Sequence, residues 1–207
     1  MTNTKAAVPE LGAVEIHGLT RGSFILKGAL AAGTVYGAAT VGPFVRQAMA
    51  QEGMGDVEIV NFALTLEYLE TAFYESAPTG LSARAATLAK RFGQEEATHV
   101  DALTAAVRQL GGTPAPKPRF VFPRGDARAF LKLAQTLEDT GVSAYNGAAP
   151  AIQSKEVLGS AGAIVQVEAR HAAAIRLLNG QPPAPLAFDQ ALDTAAVQQA
   201  VKPFIRS

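Results

Sequence analysis

The feature that most restricts this chain is a pair of Glu-x-x-His steps set inside apolar helical stripes. Glu96-Ala97-Thr98-His99 and Glu168-Ala169-Arg170-His171 hold two of the three histidines in the sequence; the third, His17, lies in an N-terminal segment. Residues three apart on a helix share a face, so each step turns one carboxylate and one imidazole to the same side. Around the second step the stripe runs Val157, Ala161, Ile164, Glu168, His171, Ile175, Leu178. Around the first it runs Leu88, Phe92, Glu96, His99, Leu103, Ala106, Leu110. The polar residues stand where Leu or Ile is expected. A carboxylate buried alone is costly and would neutralise. The pattern therefore calls for helices packed around a compensating charge, and a metal ion supplies one.

Two further helices carry one glutamate each. The stripe Val60, Leu64, Glu67, Thr71, Tyr74 predicts a helix from about Asp56 to Ala77, with Asp56 as N-cap and Pro78-Thr79-Gly80 as the stop. The second helix is expected from Ser82 to Gly111-Gly112. Residues 113–125 contain four prolines and are too long for a tight turn, so they read as a crossover along the bundle. The third helix follows an Asp126 cap and carries Leu131, Ala134, Glu138, Val142 and Tyr145. If it ran on to Leu158, Glu138 would lie about 30 Å from the turn and Glu168 about 15 Å, at 1.5 Å per residue. A stop at Pro150 removes that mismatch. Ser154 then caps the fourth helix, with Glu156 in its first turn, and Asn179-Gly180 ends it before Pro182-Pro183. The tail, 181–207, is expected to hold one short helix over Leu192 to Val201.

The two halves repeat. Glu67 is followed by Tyr74 and Glu138 by Tyr145, each after seven residues, or two helical turns. Glu67 precedes Glu96 by 29 residues, and Glu138 precedes Glu168 by 30. Two hairpins with the same polar groups at the same heights predict a pseudo-twofold bundle with its site on the axis. The candidate ligands are Glu67, Glu96, His99, Glu138, Glu168 and His171. Glu70, one turn from Glu67, is the competing ligand; Glu67 keeps the stripe and matches Glu138. Tyr74 and Tyr145 read either as core tyrosines or as supports behind the ligands. Glu95 and Asp139, each next to a candidate ligand, are expected to point to solvent. Arg91 and Arg170 are candidates for surface salt bridges, and Gly141 and Gly147 for close helix packing without chemistry.

The length, 207 residues, suits one domain and an extension. Residues 1–50 form an N-terminal segment, 51–180 the bundle and 181–207 the tail. Formal net charge is zero, so no nucleic-acid footprint is present. The absence of Cys excludes disulfides, iron–sulfur clusters, thiolate metal sites and an internal rubredoxin-type electron carrier. Within the N-terminal segment, Arg21 and Lys27 precede an uncharged run from Gly28 to Val45, and Ala48-Met49-Ala50 offers a small-x-small cleavage pattern. This is an export signal in outline. It resembles a twin-arginine signal, with Gly22 where the second Arg is expected. The expected location is periplasmic, cell-envelope or secreted, and cytoplasmic if the segment is no signal. Membrane contact is expected only through that segment.

One Glu from each of two helices, with a Glu-x-x-His from each of the other two, resembles the ferritin-like superfamily of di-iron and di-manganese carboxylate proteins. The resemblance covers about residues 55–180 and fills all six ligand positions. Leu66-Glu67-Tyr68-Leu69-Glu70 and Val167-Glu168-Ala169-Arg170-His171-Ala172-Ala173 look most like its exported, desiccation-related branch. The resemblance implies an all-α, ferritin-like four-helix bundle with a long crossover between helices 2 and 3. It implies two Fe or Mn ions, bridged by Glu96 and Glu168, with Glu67, Glu138 and the histidines capping one metal each. Four carboxylates balance two divalent ions, and neutral imidazoles suit Fe and Mn. The implied function is Fe(II) oxidation or O2 or H2O2 chemistry in stress protection, a ferroxidase- or peroxide-type oxidoreductase. The alternative is an exported structural or desiccation-protective bundle without turnover. Homo-oligomerisation is left open; nothing in the sequence encodes the contacts of a storage cage.

Overall fold

A computed structural model describes residues 54–206. The export-type segment, 1–50, lies outside the described residues. Four long helices carry the fold: α1 (Asp56–Glu75), α2 (Ala83–Gln109), α3 (Ala127–Ala148) and α4 (Lys155–Leu178). A fifth, α5 (Thr194–Val201), lies in the tail. Helices α1 and α2 form one hairpin and α3 and α4 another; α1 meets α3 and α2 meets α4 to close an all-α bundle. No described helix is long and apolar enough to cross a membrane.

The helix boundaries follow local chemistry. Ser82 caps α2 by accepting from Ala85 N, Asp126 caps α3 through Ala129 N, and Ser154 caps α4 through Val157 N. Both α2 and α4 end at a left-handed glycine, Gly111 (φ 77°) and Gly180 (φ 71°). Each then closes with a bond from the following residue back five positions: Gly112 N to Val107 O, and Gln181 N to Arg176 O. Helix α3 gives way to a short 3-10 turn at Ala149–Ala151, around Pro150.

Two boundary expectations change. Helix α1 stops at Glu75 rather than Ala77, because Ser76 N turns back to Phe73 O at 3.0 Å and tightens the last turn. Asp56 does not cap its own helix; Gly55 holds that position without a side-chain bond. The Asp56 carboxylate instead accepts from Gln153 N and Ser154 N, both at 2.7 Å. It ties the start of α1 to the start of α4, where two backbone donors lack helical partners.

The crossover runs extended from residue 113. Asn61 anchors its start, donating to Thr113 O and accepting from Ala115 N. Strand β1 (Arg119–Phe120) pairs antiparallel with β2 (Ile205–Arg206), Arg119 opposite Arg206 and Phe120 opposite Ile205. The tail packs on α3 first: Leu192 N bonds Ser143 O at 2.9 Å. Only glycine permits that approach, because a Cβ on Gly147 would lie 1.9 Å from Leu192 O. Ala191, Val197 and Val201 are buried there.

The core has two apolar ends. One is aromatic, built on Phe73, Phe92, Phe130, Ile175 and Val197. The other is aliphatic, built on Ile59, Leu64, Leu103, Val107, Val157 and Ile164. Along every long helix the glutamates fall between these ends, so a polar layer crosses the middle of the bundle.

Candidate metal centre

The layer is built from the stripes. Glu67, Glu96, Glu138 and Glu168 are fully buried, and His99 and His171 nearly so. The four helices turn them to the axis because each occupies a stripe position that is otherwise Leu, Ile or Ala. The six side chains form two groups. Ligand-type atoms of Glu67, Glu96, His99 and Glu168 lie within 4.8 Å of one another, and so do those of Glu96, Glu138, Glu168 and His171. Glu96 and Glu168 belong to both.

These shared carboxylates divide their oxygens. Glu96 presents Oε2 to His99 Nδ1 at 2.9 Å and Oε1 to His171 Nδ1 at 2.8 Å. Glu168 presents Oε1 to His99 Nδ1 at 3.0 Å and Oε2 to His171 Nδ1 at 3.6 Å. Glu67 Oε2 approaches His99 Nδ1 at 3.2 Å, and Glu138 Oε2 approaches His171 Nδ1 at 3.6 Å. The outer oxygens of these two are held by tyrosines from the opposite hairpin. Tyr145 donates to Glu67 Oε1 at 2.5 Å, and Tyr74 donates to Glu138 Oε1. Both tyrosines are buried in the core, and both hydroxyls bond a glutamate.

The residues present fit bound metal. Glu96 Oε1, Glu138 Oε2, both oxygens of Glu168 and His171 Nδ1 are buried without a hydrogen bond. Several are close enough for ion pairing, yet their directions do not suit hydrogen bonds, so lone pairs converge on common space. Buried polar atoms without partners are rare and costly. Carboxylate and imidazole donors are a set that Fe and Mn accept.

With protons as the only counterions, the layer titrates abnormally. Burial pushes Glu138 up to about 8, with Glu168 and Glu96 adding to it. Burial, then the Glu168 charge, also raises Glu67 well above the carboxylate range. For Glu96, the nearby imidazoles of His171 and His99 overcome burial and hold it down at about 2. Burial alone would lower both histidines. Their carboxylate neighbours win, raising His99 to about 12 and His171 as well. Burial, reinforced by Glu138 and Glu67 respectively, raises Tyr74 and Tyr145, so both hydroxyls stay protonated donors.

Residues 55–181 match the family model for the ferritin-like domain. The chain belongs to that family. Its fold is also similar to the crystal structure of a conserved hypothetical protein, rv2844, from Mycobacterium tuberculosis: TM-score 0.57 and 16% identity over 64% of this chain and 96% of that one. A comparison with curated proteins gives no match.

In this ferritin-like bundle several residues behave differently from their sequence reading. Glu95 does not simply face solvent: its Oε2 lies 2.8 Å from His171 Nε2, while its Oε1 accepts from Arg91 Nε at 2.9 Å. The Glu95 carboxylate, kept ionised by His171 and Arg91 despite burial, only accepts. Nε2 therefore keeps its proton in either charge state of the ring, and Nδ1 is the atom turned inward. Asp139 also has a partner, accepting from Arg176 Nη2 at 2.5 Å. Both sit about 100° around their helices from the ligands, on flanks that the neighbouring helix covers; stripe counting marks such flanks as wet. Phe92 was visible only as an apolar stripe position, yet its ring stacks on His171 with centroids 4.0 Å apart. Arg91 does form the surface pair expected of it.

Glu70 is a fifth buried carboxylate. It lies outside both ligand groups, whereas Glu67 lies inside one. Its room comes from Gly141, the residue that matches it in the repeat: a Cβ there would come within 3.0 Å of Glu70 Oε1. Burial and the surrounding carboxylates, Glu168 first, raise its pKa well above the usual range.

Proposed function

We propose that the bundle binds two divalent Fe or Mn ions and uses them in redox chemistry with dioxygen or hydrogen peroxide. The observation that carries this reading is the division of oxygens at Glu96 and Glu168. One oxygen of each faces the Glu67–His99 side and the other faces the Glu138–His171 side. A single ion would not call for that arrangement; two ions sharing two carboxylates would.

Glu67 and His99 would hold one ion, Glu138 and His171 the other, with Glu96 and Glu168 between them. A bound pair supplies two one-electron changes, enough to reduce dioxygen to peroxide or peroxide to water. The chain's own residues do the rest. Glu67 and Glu138 give up their protons as the ions enter, since a ligating carboxylate must be ionised. Tyr145 and Tyr74 then hold the outer oxygens and keep the inner ones aimed. The apolar ends exclude bulk water. Glu95 holds the proton of His171 at Nε2, on the side away from the centre. The export-type pattern of residues 1–50 supports an extracytoplasmic location.

The test is metal analysis of protein from its native host, followed by stopped-flow mixing of Fe(II)-loaded protein with O2 or H2O2. About two metals per chain and rapid oxidation are expected, as two-metal sites of this kind require. Two metals with no reaction would leave a structural or desiccation-protective bundle in which metal only stabilises the fold.

A further inference from the structure

The zero net charge of the chain is not the charge of its surface. Glu67, Glu70, Glu96, Glu138 and Glu168 are buried, whereas no Lys or Arg among the described residues is. Cations are therefore in excess outside, and they are not spread evenly. From Leu110 to Gly125 the sequence carries Lys117, Arg119 and Arg124 and no acid. From Thr194 to Arg206 it carries Lys202 and Arg206 and no acid. These are the two segments that pair as β1 and β2.

The pairing brings like charges together. Arg119 stands directly opposite Arg206. Opposite residues of an antiparallel pair share a face, with Cβ atoms about 5 Å apart, and like charges there destabilise the pair. Alternation sets the rest of the edge. Pro118, Phe120 and Phe122 are partly buried, while Lys117, Arg119, Val121 and Pro123 are exposed. Lys117 and Val121 therefore stand on the Arg119 side. Among the described residues, the ion pairs of Lys and Arg are Arg91–Glu95 and Arg176–Asp139, so none of these cations is neutralised. Arg206 Nη1 donates to backbone carbonyls of its own turn, Pro203 O and Ile205 O. Asp126, the nearest acid in sequence, spends its carboxylate on the α3 cap.

We infer that this edge docks on an anionic phospholipid bilayer, and that it does so independently of the metal centre. Charge complementarity supplies the attraction. Phosphate headgroups relieve the Arg119–Arg206 repulsion, and each Lys or Arg close to an anionic leaflet strengthens binding about fivefold. Val121, 41% exposed among these cations, enters the headgroup boundary as apolar side chains of interfacial segments do. Single-stranded nucleic acid fits less well, because its bases need exposed rings to stack on. The ring of Phe122 is turned inward, 5.3 Å from Phe73 and 5.9 Å from Phe204 between centroids. Stable anchoring takes two membrane signals, so this edge alone gives weak and reversible attachment.

The experiment compares full-length variants on phosphatidylcholine vesicles with and without phosphatidylglycerol, so that residues 1–50 are constant throughout. The unaltered chain should sediment with the anionic vesicles in preference to the neutral ones, and added salt should weaken that binding. Replacing Lys117, Arg119 and Arg206 together with Gln should weaken it about a hundredfold. Tm and metal content should hold, since all three side chains are exposed. Replacing Arg84, Lys90 and Arg108 with Gln removes as much charge from exposed positions of α2, and most of the binding should remain. The chain has no Cys, so Val121→Cys takes a single environment-sensitive dye. Its emission should shift to the blue on anionic vesicles alone. Equal losses in the two triple variants, full binding in the first of them, or a dye that stays in water overturns the inference. Binding of DNA through the same three residues, with no binding of vesicles, overturns it too and assigns the edge to nucleic acid.

Discussion

His171 and His99 occupy matching places in the two halves of the repeat, yet their outer sides differ. His171 has Glu95 on Nε2, Arg91 behind Glu95, and the Phe92 ring stacked on its face. Aligning Glu96 with Glu168 puts Val167 opposite Glu95, Ile164 opposite Phe92 and Ala163 opposite Arg91. None of these three can supply a carboxylate, a ring or a cation to His99. The side chain of His99 is also the more exposed, 11% against 2%. The inner faces of the two halves therefore agree while their flanks do not. The difference teaches that the repeat specifies which atoms meet on the axis, and that each helix's neighbour specifies how firmly an imidazole is held. The His171 side should be the tighter and better oriented of the two.

The largest effect should come from removing what the two sides share. Replacing Glu168 and His171 together with Ala should take metal content from about two per chain to none, because Glu168 serves both ligand groups. Full stoichiometry in that variant, read by elemental analysis, would end the metal reading and with it any comparison of two sides.

Next is the stability of the metal-free protein. A ligand that binds only the folded state stabilises it by about 4 kcal/mol at a thousandfold excess over Kd. Calorimetry should therefore show a higher Tm with Fe(II) or Mn(II) than without. The metal-free protein should also respond to pH in a defined direction. Glu138 is raised from the ordinary carboxylate value to about 8, so its favourable contribution is complete below the unfolded value and fades as pH rises toward 8. His99, raised to about 12, contributes fully below the ordinary imidazole value and loses that contribution as pH climbs through neutrality and beyond. Glu96, lowered to about 2, acts oppositely and matters only as pH falls below the ordinary carboxylate range. Metal-free protein should thus melt higher at mildly acidic than at mildly alkaline pH. Metal-loaded protein should lose that preference, because ions replace the protons. A metal-free Tm that climbs from pH 5 to 9 would contradict the assigned charges.

A smaller effect sharpens the comparison itself. Glu95→Gln leaves the size of the side chain unchanged but removes the ionised acceptor that sets the His171 tautomer. Loss of such a partner lowers metal affinity by about 10–100-fold. One of the two metals should weaken and the other should not, so a titration should separate into two steps. Equal weakening of both metals would show that the sides are not independent. The smallest effect is expected from Arg91→Ala. The Arg91 side chain is 70% exposed, and exposed i,i+4 pairs contribute about 0.3–0.5 kcal/mol. Tm should barely move and metal content should hold. A large loss of metal would mean that Arg91 is needed to keep Glu95 on His171.

Most of the bundle was legible because its signals are local. Asp126 and Ser154 cap the helices they were expected to cap, Ser82 caps the helix expected to start there, and Gly111 and Gly180 end theirs, since a cap needs only its own helix. Asp56 was misread because its carboxylate serves donors almost a hundred residues away. The pairing of Arg119–Phe120 with Ile205–Arg206 was not foreseen; two residues leave no periodic trace. Glu70 shows the same limit. Its burial was foreseeable only by knowing that Gly141 lies across from it.

The sequence by itself determined the helices, their apolar stripes, and the six polar residues set into those stripes at matching heights. It could do so because helical periodicity is a property of consecutive residues, and carboxylates in an apolar stripe carry their own demand for charge. Only the tertiary structure decided which oxygen of Glu96 and Glu168 faces which histidine. It alone showed that Tyr74 and Tyr145 cross to the glutamates of the opposite hairpin, and that Glu95 belongs to His171. Those relations depend on distances between helices, and a residue on the flank of one helix is wet or bound according to what its neighbour brings there.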